Sequence, residues 1–418
     1  MHLCLFEDSY ARQFLPLTYF RPVYDLRCGM LSLRERITSY LAPTSVSLLT
    51  RDYLADVVRE ENPNCEVNTV TSGSGACLFV NGRTIMTSGL SRHLRKAGSD
   101  CLFVAGDQIV AVRLSGENFA RARSTSYSDA IDLSTVVAVP RIEVEATLAN
   151  YPWDLVYANE SELLNDFLLL TKGISGAAGG KGVHKSAALI GKKDIHIGRK
   201  SIVGAGAVLD ASGGPIFIGS EVRVYPTAVI EGPCYIGDGS LIKIGAKIYG
   251  NTAIGPFCKV GGEVDHSILH SHSNKQHDGF LGHSYIAPWV NLGAGTTTSN
   301  LKNTYGSIRV SVNGKLVDSG KMFVGLMAGD HVKIGINGTI DTGTVIGPST
   351  NIFGTALPPK YIAAFTWGTA GAFSTYDVER AVRVAETVMS RRKVQASDAY
   401  KRLFRHIFEL TGHERANN

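Results

Sequence analysis

Aliphatic residues recur at every sixth position over a long central stretch of the chain. The run from Ile218 to Val260 keeps this spacing without a slip, and the register returns from Ile334 to Ile352. A period of six fits neither an α-helix nor a strand that alternates every two residues. It is typical of a hexapeptide solenoid, in which each hexad supplies one short strand and one turn. We therefore expect triangular coils of three hexads, with the aliphatic side chains filling the interior of a prism and each coil burying its neighbours.

The composition narrows the class of protein. The net charge is +5 and no long lysine or arginine tract is present, so the charge pattern does not suggest nucleic-acid binding. The seven cysteines contain no CxxC pair, which favours a reducing compartment over a disulfide framework or a thiolate zinc site. The N-terminus lacks a basic region followed by an apolar core, and no apolar run approaches the ~20 residues of a membrane helix. These features predict a soluble, cytoplasmic protein that binds neither nucleic acid nor membrane.

The six-residue rhythm fails between residues 261 and 285 and resumes at Ile286 and Leu292. A break of this kind predicts a loop extruded from one coil, and loops on rigid supports are common places for function. The segment contains the stretch NKQHDGFLGHS. It also carries five of the chain's twelve histidines, at positions 266, 270, 272, 277 and 283.

The stretch HDGFLGHSYIAPWVNLGAGTTTSN, which begins at His277, carries a resemblance to a known family. It is similar to the acetyltransferase half of the bifunctional N-acetylglucosamine-1-phosphate uridyltransferases. Together with LPLTYFRPVYDLRCG, YPWDLVYAN and NKQHDGFLGHSY, it is closer still to the bacterial and archaeal bifunctional sugar-1-phosphate nucleotidylyltransferase/acetyltransferase-like proteins. The resemblance implies a left-handed parallel β-helix of hexapeptide repeats, a homotrimer, and a transferase that uses acetyl-CoA as co-substrate.

The resemblance also implies site residues. The family's general base falls on His277, its substrate-contacting asparagines on Asn291 and Asn300, and its phosphate-binding arginine on Lys243. Phe280 stands where the family has tyrosine, so one hydroxyl contact to the sugar phosphate is missing. The family's acidic residue matches Asp265, with Glu263 nearby, and Lys302 lies close to the position of a family lysine.

Acetyl transfer to an amine requires removal of a proton, and a neutral imidazole is suited to take it near pH 7. We expect Asp265 or Glu263 to fix the tautomer of His277. The turn from Gly293 through Ala294 and Gly295 to Thr296 would supply a backbone N–H for the oxyanion and room for a pantetheine arm. Lys243 and Lys275 would hold the sugar phosphate by charge-assisted hydrogen bonds.

Two alternatives to a catalytic His277 remain open from the sequence. It can be a structural histidine of the loop, the role we expect for the other four histidines of the segment. The second alternative is a zinc site of the trimeric carbonic anhydrase type, built from several of the histidines. The candidates for that site are His266, His272, His277 and His283. The motif VNLGAGT has no role in a metal site, so we predict no bound metal there.

Residues 1–170 are predicted to form a shortened, Rossmann-like α/β nucleotidylyltransferase domain. LCLFE, SVSLLT, ACLFVNG and CLFVAGDQIVAVRL read as strands, and LSLRERITSYL and SELLNDFLLLTK as helices. The glycine-rich triphosphate loop of the related family is absent, and its metal-holding NGD is replaced by Asn81-Gly82-Arg83. Arg21, Arg27 and Asp107 are the remaining candidates for nucleotide binding, with Mg²⁺ if the domain is active. We expect nucleotidyl transfer to be weak or absent.

The predicted organisation has three parts. The α/β domain (1–170) is followed by the β-helix acyltransferase domain (180–370, with the loop 261–285) and by a C-terminal helical segment (371–418) that packs as a cap. The predicted reaction is acetyl transfer from acetyl-CoA to an aminosugar 1-phosphate in nucleotide-sugar biosynthesis. The alternatives are sugar-1-phosphate nucleotidyl transfer and a non-catalytic trimer that binds sugar nucleotides.

Overall fold

The computed structural model describes residues 1–71, 75–123, 139–173, 182–354 and 356–415. The N-terminal domain is built on a seven-stranded sheet, in which the inner strand His2–Phe6 is buried along its whole length. Four neighbouring strands run parallel, and Gln108–Ser115 pairs antiparallel with the strands on both of its sides. In spatial order the strands are Arg141–Glu143, Cys101–Ala105, Gln108–Ser115, Ala76–Asn81, His2–Phe6, Ser45–Leu48 and Glu66–Val67.

Five α-helices belong to this domain. Helix α1 begins after Ser32, whose side chain accepts from the Glu35 N–H while Glu35 caps the Ser32 N–H in return, so the first turn is closed by a capping box. The last and longest helix starts with Pro152 at its first position, where a missing N–H costs nothing. The helices are α1 (Leu33–Leu41), α2 (Ala55–Glu61), α3 (Ser88–Lys96), α4 (Gly116–Arg123) and α5 (Pro152–Thr171).

Short 3₁₀ helices and two-stranded pairings complete the N-terminal domain and the start of the repeat region. There are 3₁₀ turns at Ser9–Phe14, Val23–Asp25, Asp52–Leu54 and Lys192–Asp194, and two-stranded pairings of Arg27–Cys28 with Leu31–Ser32 and of Thr84–Ile85 with Thr147–Leu148.

The repeat region folds into a three-sided, left-handed parallel β-helix, as predicted. As far as Asn274–Lys275, each strand pairs with the strand three places further along the chain, which is the pattern of triangular coils. The aliphatic residues of the hexads point inward and form one continuous buried column from Ile195 to Ile362. The first face contains Ala188–Ile190, Val208–Asp210, Val229–Glu231, Lys247–Ile248, Glu263–Asp265 and Phe280–Gly282, and is continued by Thr297–Thr298 and Thr339–Ile340.

The other two faces are longer. The second face contains Ile195–Ile197, Ile216–Ile218, Cys234–Ile236, Thr252–Ile254, Ile268–Leu269, Tyr285–Ile286, Met327–Ala328, Val345–Ile346 and Tyr361–Ile362. The third face contains Ile202–Val203, Arg223–Val224, Leu241–Ile242, Lys259–Val260, Asn274–Lys275, Asn291–Leu292, Lys333–Ile334, Asn351–Ile352, Thr366–Thr369 and, antiparallel at the end, Ala372–Thr375.

The extruded loop expected at 261–285 is wrong. That segment forms five strands, which take their places in the three faces. Along the first face, Ile230 and Ile248 are 18 residues apart, whereas Ile248 to Val264 is 16 and Val264 to Leu281 is 17. The six-residue count therefore slips because some corners are one or two residues shorter, while the coil itself continues.

The real insertion lies further along the chain, between Thr298 and Met327. Tyr285 and Met327 are neighbours on the second face although 42 residues separate them. The intervening chain forms a hairpin of Arg309–Val312 and Lys315–Asp318, and its apolar residues, including Ile308 and Val310, pack in the cluster that contains Trp153 of α5.

Two faces of the β-helix are covered, which leaves the first face open. The N-terminal domain and α5 lie on the second face, where Trp153 shares a buried cluster with Ala253, Ile268 and Tyr285. The third face is covered in part by the C-terminal helices, since Trp289 packs with Met389 and Ala396. The C-terminal helices are α6 (Val378–Ser390), α7 (Asp398–Leu410) and α8 (Gly412–Arg415). No helix of the described ranges packs on the first face, and none of them has the length and apolar character to cross a membrane.

Candidate functional site

His277 lies at the corner where the third face turns into the first face. We call this the His277 corner; it comprises residues 243–246, 261–262, 276–279 and 293–296. The imidazole is exposed, in a turn between the strands Asn274–Lys275 and Phe280–Gly282. The next coil lies directly above, since the Gly295 N–H donates to the carbonyl of Asp278 at 3.1 Å. His277 is thus presented to solvent beside the GAGT turn.

The other four histidines of the segment have structural roles, as expected. His266, His272 and His283 occupy left-handed corner positions, with φ of 41°, 54° and 45°. Their rings form ladders between coils: His266 stacks on His283 at 4.7 Å, and His272 lies between Phe257 and Trp289. His270 is directed toward the N-terminal domain, where its Nε2 lies 2.9 Å from the carbonyl oxygen of Asp25.

The zinc alternative does not fit the histidines as they stand. Asp265, His266 and His283 bring three ligand atoms within 4.8 Å of one another. However, the two rings are parallel within 3°, and lone pairs that lie in parallel planes do not converge on one ion. His272 lies in the ladder at another corner of the coil and His277 is in the turn, so the four candidates are not gathered at one point.

The carboxylates expected to orient His277 serve other partners. Asp265 Oδ1 lies 2.6 Å from Nδ1 of His266, and Glu263 lies 3.8 Å from the ammonium of Lys247. Neither carboxylate is hydrogen-bonded to His277 within the described residues. The expectation that Asp265 or Glu263 fixes the tautomer of His277 is therefore wrong for this single chain. Strand direction explains it, since both acidic side chains point out from the first face.

A second group of predicted residues meets on that open first face. Asn300 Nδ2 donates to His283 Nδ1 at 3.0 Å, and the Phe280 ring lies over Gly282. A Cβ at Gly282 would meet both Phe280 Cζ and Asn300 Nδ2 at 2.5 Å. Burial, helped by the neighbouring His266, lowers the pKa of His283 to about 4, so its ring stays neutral and accepts from Asn300. Gly282 was not among the residues predicted from the sequence, although it lies between two that were, Phe280 and Asn291.

Three further predicted residues lie in different surroundings. Lys243 belongs to the His277 corner and places its ammonium 5.2 Å from the centre of the Tyr225 ring. Asn291 lies on the third face, bonded to Asn274, which in turn accepts from Arg392. Lys302 lies at the start of the insertion and donates to the Ser307 carbonyl. Of the three, Lys243 is the one that the fold brings to the corner of His277.

Lys275 is not available to a substrate phosphate, so that prediction is wrong. Its side chain is 2% exposed and takes the inward position of its strand, in register with Val260. The ammonium donates to the carbonyls of Gly261 at 3.0 Å and His277 at 2.9 Å. Counting back six residues from the inward-facing Leu281 would have identified this position from the sequence.

The packing of the next coil requires the two glycines of the GAGT turn. A Cβ at Gly293 would meet the backbone of Gly335 at 2.6 Å, and one at Gly295 would strike Asn337, so the next coil requires both. The N–H groups of Gly293, Gly295 and Thr296 are bonded to Ile334, Asp278 and Gly293. Ala294 is the residue of this turn whose N–H makes no hydrogen bond within the described residues. Thr296 is buried and bonded to Gly335, which removes its side chain from the surface.

The basic residues proposed for nucleotide binding are structural. Arg21 makes a two-pronged ion pair with Asp330 of the β-helix. Arg27 is buried; its guanidinium donates to the Met30 carbonyl and its backbone N–H donates to Tyr285. Both predictions are wrong, because the Arg21 side chain and the Arg27 backbone join the two domains, while the Arg27 guanidinium is held within its own domain. Asp107 is exposed in the tight turn between Cys101–Ala105 and Gln108–Ser115.

The carboxyl ends of the parallel strands, where open α/β sheets bind ligands, are filled by ion pairs. Arg83 donates to both carboxylate oxygens of Asp8, at 2.8 and 2.6 Å. Beside it Arg51 reaches both oxygens of Glu7, at 3.1 and 3.2 Å. Mg²⁺ requires carboxylate ligands free to face it, and here a buried guanidinium stands at the family's aspartate position and covers Asp8. These residues do not fit a Mg²⁺ site.

Comparison with known proteins supports the resemblance inferred from the sequence. Residues 3–175 match the family described as sugar nucleotidyl transferase. A bifunctional sugar-1-phosphate nucleotidylyltransferase/acetyltransferase of Sulfurisphaera tokodaii is 40% identical over 91 residues, which is 22% of this chain and 23% of that protein. The bifunctional protein GlmU of Acidithiobacillus ferrooxidans is 33% identical over 150 residues, 35% of this chain and 32% of that protein. The chain thus matches 23% to 32% of the length of these relatives.

A solved structure, the UDP-N-acetylglucosamine acyltransferase of Francisella novicida, is 16% identical over 51% of this chain and 72% of its own, with a TM-score of 0.30. A score this low supports no functional argument.

Proposed function

We propose that this chain, which is similar in part to the bifunctional sugar-1-phosphate nucleotidylyltransferase/acetyltransferases, transfers an acetyl group from acetyl-CoA to the amine of an aminosugar 1-phosphate. The observation that carries the proposal is the placement of His277. It is the exposed histidine of the segment, and it lies on the same corner as the Ala294 N–H, the donor of the GAGT turn that has no partner within the described residues.

The proposed chemistry is nucleophilic acyl transfer. The amine nitrogen attacks the thioester carbonyl carbon, a C–N bond forms, and His277 accepts the proton that the amine loses. The Ala294 N–H donates to the oxyanion of the tetrahedral intermediate. The C–S bond then breaks, the thiolate of CoA leaves, and the proton held by His277 is available to it. The backbone donor is preorganised because the flanking N–H groups of its turn are fixed to neighbouring coils.

The acceptor is proposed to lie on the first face, which no helix covers. Lys243 supplies a positive charge at the His277 corner for a phosphate, and Phe280 and Asn300 offer an apolar ring and an amide around Gly282 on the same face. Phe280 also lacks the hydroxyl of the family's tyrosine, so Lys243 is expected to carry more of the phosphate contact.

We propose a homotrimer that closes the site. Ile244 and Ile336 are each 69% exposed, and they lie on the same corner one or more coils to either side of His277. Exposed isoleucines around a catalytic histidine favour cover by a second copy of the chain. A cleft between copies would also remove water from the thioester and complete a groove for the long CoA molecule.

Nucleotidyl transfer by the N-terminal domain is not part of the proposal. The Asp8–Arg83 and Glu7–Arg51 pairs fill the strand ends and engage both of these carboxylates, so neither is available to a metal. We propose instead that the domain covers the second face of the β-helix and joins it through Arg21 and Arg27.

The test is acetyl transfer measured as release of CoA thiol from acetyl-CoA, with a panel of aminosugar 1-phosphates as acceptors. We expect His277→Ala to lower kcat by about 10²–10⁴, the range of general-base catalysis, without changing the melting temperature. The matched control is His93→Ala, which removes another exposed histidine, on α3. Full activity of His277→Ala would overturn the assignment. A wild-type protein that binds sugar nucleotides but releases no thiol would support the non-catalytic alternative.

A further inference from the structure

A charged side chain stands inside the prism of the β-helix, directly beneath the His277 turn. The inward positions around it are aliphatic: Val260 precedes Lys275 in the stack of the third face, and Leu292 follows on the next coil. Lys275 takes the place of one of these residues with its side chain 2% exposed. Burying an ammonium in such a column is costly unless it is well paired.

The ammonium of Lys275 ties together two successive coils at the His277 corner. It donates to Gly261 O in the coil below and to His277 O in its own turn, at 3.0 and 2.9 Å. Within the described residues, neither of these two carbonyls accepts a hydrogen bond from any other donor. The contact also leaves no room for a side chain at Gly262, whose Cβ would lie 2.7 Å from Nζ.

We propose that Lys275 is a positioning residue for His277: its ammonium fixes the backbone of the turn, so that the imidazole is held against the GAGT turn. This inference rests on the proposed acetyl transfer. The bond to the His277 carbonyl matters most. That carbonyl belongs to the residue that carries the imidazole, so the bond restrains the backbone of His277 directly. A displacement of about 1 Å at such a group is enough to slow a reaction about 100-fold.

The charge works against the stability of the fold, which is a reason to look for a functional role. Burial lowers the pKa of Lys275 to about 8, although the negative charges of Asp278 and Glu263 act in the opposite direction. An aliphatic residue at this place would satisfy the interior as well as its neighbours do. Buried polar groups that cost stability are often found where function requires a particular geometry.

The chain contains a matched control. Lys333 is a half-buried lysine of the third face, at the outward position beside the inward-facing Ile334, and its ammonium donates to the carbonyls of Trp289 and His331 at 3.0 and 2.9 Å. Burial lowers its pKa to about 7. It makes the same kind of double bond, but at the corner between the second and third faces, away from His277. Its replacement reports the structural cost of losing such a lysine without touching the His277 turn.

The experiment compares Lys275→Met and Lys333→Met in the full chain. We expect Lys275→Met to lower kcat for acetyl transfer about 10- to 100-fold at an unchanged KM for acetyl-CoA, with a melting temperature within a few degrees of the wild type. Lys333→Met is expected to shift the melting temperature by a similar amount and to keep kcat within about twofold. Equal losses of kcat in the two variants, or none in Lys275→Met, would overturn the proposal.

A second readout does not depend on activity. The rate at which diethyl pyrocarbonate modifies His277, followed by mass spectrometry of the peptide, is expected to change at least about threefold in Lys275→Met and to stay constant in Lys333→Met. If the wild type proves inactive in acetyl transfer and this difference persists, the proposed function fails while the positioning of His277 by Lys275 stands. If the rates are equal in all three proteins, the positioning role is refuted whatever the activity.

Discussion

The guanidinium of Arg83 lies against the carboxylate of Asp8 with both of its prongs engaged, at 2.8 and 2.6 Å. Arg83 is fully buried and Asp8 is 18% exposed at the side chain. Further bonds hold the guanidinium to the Ala149 carbonyl and to Asn150 and Gln108. The pair closes the edge of the sheet at which a nucleotide would be expected to bind, so the N-terminal domain has an α/β sheet with a structural ion pair in that place.

Loss of this pair is expected to weaken the N-terminal domain strongly. Arg83→Ala removes one partner of a buried ion pair and leaves several acceptors unsatisfied, so the free energy of unfolding should fall by about 3 kcal/mol or more. The measurement is urea denaturation followed by near-UV circular dichroism. As a control, Arg59→Ala breaks the exposed pair with Asp56 and should cost less than about 1 kcal/mol. Similar costs for the two variants would contradict the structural role of Arg83.

Gly282 is expected to be needed by the acceptor site and not by the fold. A methyl group at this position meets Phe280 Cζ and Asn300 Nδ2, which are the ends of side chains and can shift. Gly282→Ala should therefore keep the melting temperature within a few degrees while raising KM for the sugar phosphate several-fold. Gly89→Ala in α3 is the control, because the nearest atom to its Cβ lies 3.8 Å away. An unchanged KM in Gly282→Ala would argue against Phe280 and Asn300 as acceptor contacts.

Stability is expected to fall with acid in a window set partly by His283. Its pKa in the folded state is about 4, against about 6.5 for a free imidazole, so the unfolded chain binds the proton more tightly. The contribution of neutral His283 to the free energy of unfolding is complete above about pH 6.5. It is lost as the pH falls toward 4, and amounts to on the order of 2–3 kcal/mol in all. His283→Phe, which keeps a ring for the stack, should flatten this part of the stability curve. The control His413→Phe replaces an exposed histidine and should leave the slope unchanged.

Association of the chain is expected to depend on the His277 corner. Ile244→Asp places a charge among the exposed isoleucines, and it should shift the protein from trimer to monomer in sedimentation-velocity experiments and reduce acetyl transfer. Leu168→Asp is the comparison, since Leu168 is 72% exposed on α5 and lies away from that corner. A monomeric wild type, or equal effects of the two substitutions, would count against a shared site.

The hexad register was legible in the sequence because a single local rule governs it. Each inward aliphatic residue, such as Ile230 or Ile248, is buried by the coil directly above or below, so the period of the sequence equals the period of the fold. His277 was singled out by family likeness alone, and its catalytic role stays a prediction. The slip at 261–285 suggests a loop wrongly because corner length, unlike side-chain burial, leaves no periodic trace in the sequence.

What the tertiary structure decided were the partners of charged groups. The sequence predicts that Arg21 and Arg27 bind a nucleotide. In the structure Arg21 pairs with Asp330, and the Arg27 N–H donates to Tyr285, both across the domain boundary. No spacing in the sequence reveals that boundary contact. Lys275 has the charge of a phosphate ligand, yet its strand points it into the prism. A residue's type fixes what it can bind, and its burial and nearest opposite charge fix what it does bind. The burial of a side chain and its nearest opposite charge depend on segments hundreds of residues apart. They are therefore fixed only by the tertiary packing of other elements onto the faces of the β-helix.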